Sequence, residues 1–279
     1  MKQGSPDFVP PAERIAVFDN DGTLWPENPL PFQLAYALYT LKQMTAGNAA
    51  LRKDAMVQAA LKADFAALLA GPHHAGLMRV VALTHAGMTT EEFKSRVNGW
   101  LAEASHPWYD KPYDQVTYQP MQEVLRYLRA NGFKTFVVSG GGAHFVRVWS
   151  ERVSGIPPEQ VVGSAGRTRY ELSPSGPVLV KTLDFLFFDD KAGKPVGIHE
   201  FIGRRPIAAF GNSDGDKEML EYTTIDNPRP SLGLIVHHTD AKREYAYDAK
   251  PQSTALRAAP ERGWIVVDMA QDWNRMFAF

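Results

Sequence analysis

Residues 14–27 read RIAVFDNDGTLWPE. The run IAVF (15–18) is apolar on both parities, as a strand covered on both faces requires. It stops abruptly at Asp19 and Asp21, followed by Gly22 and Thr23. Carboxylates at the mouth of a buried strand are costly unless a cation, hydrogen-bond donors or protonation compensates. Asp-Asn-Asp-Gly is also good turn chemistry, so the stretch alone leaves turn and function both open.

Other short apolar runs recur along the chain: FKTFVVS (133–139), QVVG (160–163), PIAAF (206–210), LGLIV (232–236) and WIVVDM (264–269). Helical patterns separate them. The clearest is PMQEVLRYLRAN (120–131), with Pro120 in the first turn, a stripe of Met121, Val124, Leu125 and Leu128, and Gly132 as C-cap. Alternating strand and helix predicts an α/β fold built on a doubly wound parallel sheet. Residues 28–118 break the rhythm, with helical stripes at Phe32, Tyr36 and Tyr39; at Val57, Leu61, Phe65 and Leu68; and at Phe93, Val97, Trp100 and Leu101. Thr89 and Glu92 are spaced as a capping box, after a helix end at Gly87. An insertion of about 90 residues is far longer than an ordinary connection, so we expect about four helices there. The expected division is a core of 1–27 and 119–279 around an inserted helical domain of 28–118. TRYEL, SPSG and PVLVK (168–180) predict a β-hairpin.

Two further stretches resemble the first in placing polar groups after an apolar run. FVVSGGG (136–142) ends in Ser139 and three glycines, whose backbone N–H groups can approach an anion. PIAAFGNSDGDKEML (206–220) ends in a cluster of oxygen donors of the kind hard cations prefer. Each is unremarkable alone, as a loop or a helix cap. A parallel sheet, however, brings the carboxyl ends of all three strands together, where such sheets build their sites.

In this order the motifs resemble those of the haloacid dehalogenase superfamily of phosphohydrolases, in its phosphoserine-phosphatase-like branch with a helical cap after the first motif. The resemblance implies a Rossmann-like catalytic core, Mg2+ dependence and a small phosphate ester as partner. It implies Asp19 as nucleophile and metal ligand. Asp21 would bind metal through its carbonyl and serve as general acid and base, which calls for a raised pKa. Ser139 with the N–H groups of Gly140 and Gly141 would hold phosphoryl oxygens, and a lysine would neutralise them. GKPVGIHEFIG suits Lys194 for that lysine, with Lys191 as the alternative. The fourth motif, GNSDGD, has Asn212 where the family commonly has aspartate. Asn212 ranks first as metal ligand, then Asp216, which in relatives supports metal-bound water or the lysine, then Asp214. Trp25 and Glu27 follow the first motif, where relatives place substrate-contacting groups; Glu27 would suit a cationic head group, and its other reading is a plain linker carboxylate. The alternatives are a phosphate-binding or regulatory protein without turnover, for which Asn212 speaks, or another reaction of the superfamily, phosphomutase or phosphonatase. No lysine stands out in the insertion as a Schiff-base former, although Lys42, Lys53 and Lys62 lie there.

The 279 residues, 44% hydrophobic and 22% charged with 30 basic against 31 acidic side chains, give no bias toward nucleic acid or an anionic membrane. The absence of cysteine excludes disulfides and thiolate chemistry while fitting either redox compartment. No apolar run approaches the roughly 18 residues of a membrane span. The opening MKQGSPDFVPP lacks a signal-peptide core and reads as a linker. We expect a soluble chain, cytoplasmic as given or periplasmic if a leader has been removed. His73, His74, His85, His237 and His238 form no ligand constellation and read as loop or helix-end histidines. KREYAYD (242–248) is open to two readings, a lining for the mouth of the site or amphipathic packing, and packing explains it adequately.

Overall fold

A computed structural model describes residues 4–71, 75–247 and 253–279. Its strands are β1 (Ile15–Phe18), β2 (Ser105–His106), β3 (Lys111–Pro112), β4 (Lys134–Gly142), β5 (Val161–Ser173), β6 (Gly176–Phe187), β7 (Ala208–Gly211), β8 (Leu232–His237) and β9 (Ile265–Asp268). Apart from the small β2–β3 ribbon they form one sheet in the order β6-β5-β4-β1-β7-β8-β9. Every neighbouring pair is parallel except β5–β6. This is the α/β architecture read from the sequence, with the helical region entering between β1 and β4.

The chain divides into two compact units, one of residues up to Asn28 with Ser105–Ser164 and Phe188–Phe279, the other of Pro29–Ala104 with Ala165–Phe187. In the first unit β1 lies between β4 and β7, with Phe18 in register with both Val137 and Phe210. Burial on both faces explains the unbroken apolar runs. Val17, Val138, Ala209 and Ile235 pack in one core cluster, while the rings of Phe18 and Phe210 stack 4.3 Å apart. Each such valine, isoleucine or phenylalanine contributes about 1.5–3 kcal/mol when fully buried. The helix at Gln119–Ala130 buries Met121, Leu125 and Leu128, and Gly132, at φ +77°, follows its end.

The second unit holds six α-helices among the described residues: α1 (Phe32–Ala46), α2 (Ala49–Arg52), α3 (Ala55–Leu61), α4 (Phe65–Leu69), α5 (Ala75–His85) and α6 (Thr90–Glu103). The expected count was lower because the stripe Val57-Leu61-Phe65-Leu68 runs across a break. Ala63 turns at φ +55° and Asp64 caps a new helix through Ala67 N–H, although all four apolar residues still share one core. Tyr39 is exposed rather than part of its expected stripe. The capping box of Thr89 and Glu92 is formed.

The hairpin is longer than its sequence signal, and its arm groups with these helices. Gly87 N–H donates to Lys181 O and Lys181 N–H to Met88 O, both at 2.9 Å. The Lys181 ammonium sits 4.6 Å from the centroid of Phe93, and burial lowers its pKa to about 8. No helix among the described residues is long and apolar enough to cross a membrane.

Candidate active site

The carboxyl ends of β1, β4 and β7 carry the three motifs side by side, all within the first unit. Asp19 extends β1 by one residue, its N–H donating to Phe210 O at 2.9 Å, and is 7% exposed. Lys194 reaches it from a short helix at Gly193–Gly197. Its ammonium donates to Asp19 Oδ1 at 2.6 Å and Asp216 Oδ1 at 2.5 Å. Burial opposes the lysine's charge, but the two carboxylates more than offset it and raise its pKa. Lys191, by contrast, is exposed at φ +51°.

Asp216 is engaged through both oxygens, since Oδ2 accepts from the N–H groups of Asn212 and Ser213 at 3.0 Å each. It thereby braces both the lysine and the loop after β7. A side chain at Gly211 would put its Cβ 2.4 Å from Asp216 Cβ, so glycine is required there. Asp214 faces elsewhere, accepting from Ser253 Oγ at 2.8 Å and Ala255 N–H at 2.9 Å.

Burial and the nearby Asp216 push Asp19 well above the usual carboxylate range, with Lys194 pulling the other way. Burial also lifts Asp21, to about 6, opposed by a hydrogen bond from Trp25 and by Lys194. That is the direction an acid–base role requires. Trp25 is buried against Trp149, ring centroids 3.9 Å apart, and its indole N–H donates to Asp21 Oδ1 at 2.6 Å. The loop between them is closed by Gly22 N–H donating to Trp25 O at 2.7 Å, with Gly22 at φ +81°.

Ser139 is buried at the end of β4, its Oγ accepting from Gly141 N–H at 3.0 Å, while Gly140 is exposed. Asn212 packs against the first motif. One terminal atom of its amide lies 2.9 Å from Thr23 Oγ1 and 3.2 Å from both Asp19 Oδ2 and Asp21 O. With the amide oxygen in that position, three oxygens converge with only the threonine hydroxyl to donate. Such a cluster suits a hard cation, and Mg2+ commonly takes only one or two carboxylates and keeps several waters. The donor set of one carboxylate, one main-chain carbonyl and one amide therefore fits that ion. Among the described residues no cluster of three His, Cys, Asp or Glu side chains gathers as a metal site.

Several neighbours carried little sequence signal. Asp189 is fully buried and raised to about 8 by that burial, against Lys194 and the Ser139 backbone, which lower it. Tyr247, from the stretch read as amphipathic packing, donates to Glu27 Oε1 at 2.5 Å and lies 2.5 Å from the Asn212 amide. His238 is fully buried, bonding Glu244 Oε2 through Nδ1 at 2.9 Å and Gly22 O through Nε2 at 2.7 Å. His85 bonds Thr84 Oγ1 at 2.8 Å in the second unit. His73, His74 and Asp248 lie outside the described residues.

Residues 16–221 match the family described as haloacid dehalogenase-like hydrolase. No curated protein matches the chain. Among solved structures, a protein of unknown function from Bordetella pertussis Tohama I is similar at 17% identity and TM-score 0.58, over 92% of this chain and 99% of that one. A conserved, functionally unknown protein from Anaerococcus prevotii DSM 20548 is similar at 15% identity and TM-score 0.55, over 95% and 87%. A phosphoserine phosphohydrolase-like protein from Francisella tularensis subsp. tularensis SCHU S4 is more distant, at 16% identity and TM-score 0.42, over 80% and 87%. For the first two, at these identities, the likeness is one of fold.

Proposed function

We propose that this chain, which belongs to the haloacid dehalogenase-like hydrolase family, is a phosphatase that hydrolyses a small-molecule phosphomonoester through an aspartyl-phosphate on Asp19. The observation that carries this reading is the buried Asp19–Lys194–Asp216 constellation beside a carboxyl, Asp21, lifted toward neutrality.

The ester's phosphoryl oxygens accept from the Ser139 hydroxyl and the N–H groups of Gly140 and Gly141. Lys194 neutralises their charge, since phosphoryl transfer is mostly positioning and electrostatics. Asp19 attacks phosphorus, forming a carboxylate–phosphorus bond as the ester P–O bond breaks, and the Asp21 proton goes to the leaving oxygen. Water then attacks phosphorus, losing its proton to Asp21. Orthophosphate leaves and Asp19 is restored. Mg2+ held by Asp19, the Asp21 carbonyl and Asn212, with Asp216 behind them, would supply the charge that lets two anions meet. Trp25 fits a role in holding Asp21, and Glu27 one in holding Tyr247, more directly than contact with substrate.

The neutral amide of Asn212 favours a second reading, a phosphate-binding protein without turnover. Hydrolysis of an aryl phosphate with and without Mg2+, in wild type and Asp19→Asn, separates the two. Metal-dependent turnover lost in the variant supports the phosphatase; equal background rates refute it.

A further inference from the structure

The Asn212 amide can face the first motif in two ways. With nitrogen inward it donates to Thr23 Oγ1, Asp19 Oδ2 and Asp21 O, and its oxygen accepts from Tyr247. That arrangement fills the place a cation would take. With oxygen inward it presents an acceptor beside Asp19 and Asp21, and its NH2 donates to the Tyr247 oxygen at 2.5 Å.

The choice turns on one proton. A phenol has a single O–H to donate, and Tyr247 gives it to Glu27 Oε1 at 2.5 Å. Its oxygen is then left as an acceptor toward Asn212, which selects NH2 outward and oxygen inward. Gly22 keeps the space clear, because a Cβ there would fall 2.1 Å from Asn212 Nδ2 and 3.2 Å from Tyr247 Oη.

We infer that Tyr247, held by Glu27, is a positioning residue that turns the Asn212 oxygen toward the Mg2+ position and so lets a neutral amide serve as a ligand. This rests on the Mg2+ reading proposed above. A carboxylate at position 212 offers two equivalent oxygens and needs no such orientation, and that difference supplies the test.

Mg2+ binding is measured by isothermal titration calorimetry on the full chain in wild type, Tyr247→Phe, Asn212→Asp and the double variant, each verified as folded by circular dichroism. Tyr247→Phe should weaken Mg2+ roughly three- to tenfold in the asparagine background, the equivalent of one hydrogen bond, and leave affinity unchanged in the aspartate background. Equal loss in both backgrounds, or none in the asparagine background, overturns the inference while the Mg2+ site stands. Absence of Mg2+ binding by folded wild type overturns the site and the inference together. If Tyr247→Phe does not fold, Glu27→Ala, which frees the Tyr247 proton to turn the amide, takes its place in the same comparison.

Discussion

Lys194→Met removes the cation between two buried carboxylates while keeping most of the side-chain volume. The lysine side chain is 3% exposed, that of Asp19 10% and that of Asp216 1%, so solvent screens little of the loss. Removing one partner of a buried ion pair costs about 3–5 kcal/mol, because a charge is left uncompensated. For a chain of this size that is a melting-temperature drop on the order of 10 °C. The deficit should depend on pH in a defined sense. The folded-state pKa of Asp19 already lies above its ordinary 3.8, and losing Lys194, which lowers it, raises it further. Protonation therefore favours the folded variant, so its penalty is absent at low pH and grows as pH rises. Thermal or urea unfolding of metal-free protein should show a larger deficit at about pH 7 than at about pH 4. A deficit under about 1 kcal/mol at neutral pH, or one of equal size at both, would refute the charge balance argued for the site.

Four other outcomes are expected. In single-turnover reactions with alkyl phosphates, the acid-dependent step should slow as pH rises through about 6 and Asp21 ionises. Trp25→Phe, by removing the donor that favours the carboxylate, should move that limb upward by about one unit, as read from the pH–rate profile. Asp21→Asn should lower cleavage of alkyl esters by about 10²–10⁴-fold but cost much less with a nitrophenyl ester, whose leaving oxygen needs little protonation; equal losses would remove Asp21 as the acid. Asp214→Ala should cost about 0.5–2 kcal/mol of stability through lost helix capping and leave calorimetric Mg2+ affinity unchanged.

The sheet was legible because its central strands are covered on both faces, which leaves an unbroken apolar signature in IAVF, FVV and IAAF. The helical region was legible by its apolar stripes at helical spacing and by its length. Periodicity hid the break between α3 and α4, since Asp64 restarts a helix without disturbing the apolar spacing. The hairpin's outer residues were missed because an exposed ribbon such as that bearing Leu183 and Leu186 needs no apolar alternation. At the site, motif spacing brought Asp19, Asp21, Ser139, Asn212 and Asp216 to one place, but not their connections. Lys194 bonds an aspartate 175 residues away, and Tyr247 a glutamate 220 residues away. No local pattern encodes such a pairing. Aromatic residues in KREYAYD look like packing until their hydroxyls are counted.

In the proposed reaction phosphorus passes through Asp19. Wild-type protein quenched in acid during turnover of a phosphate monoester with Mg2+, then digested and analysed by peptide mass spectrometry, tests it most directly. The peptide containing Asp19 should carry the mass of one added phosphoryl group, absent without Mg2+ and absent in Asp19→Asn. Metal-dependent hydrolysis that persists in Asp19→Asn, or a phosphoryl group trapped on a different residue, would contradict it.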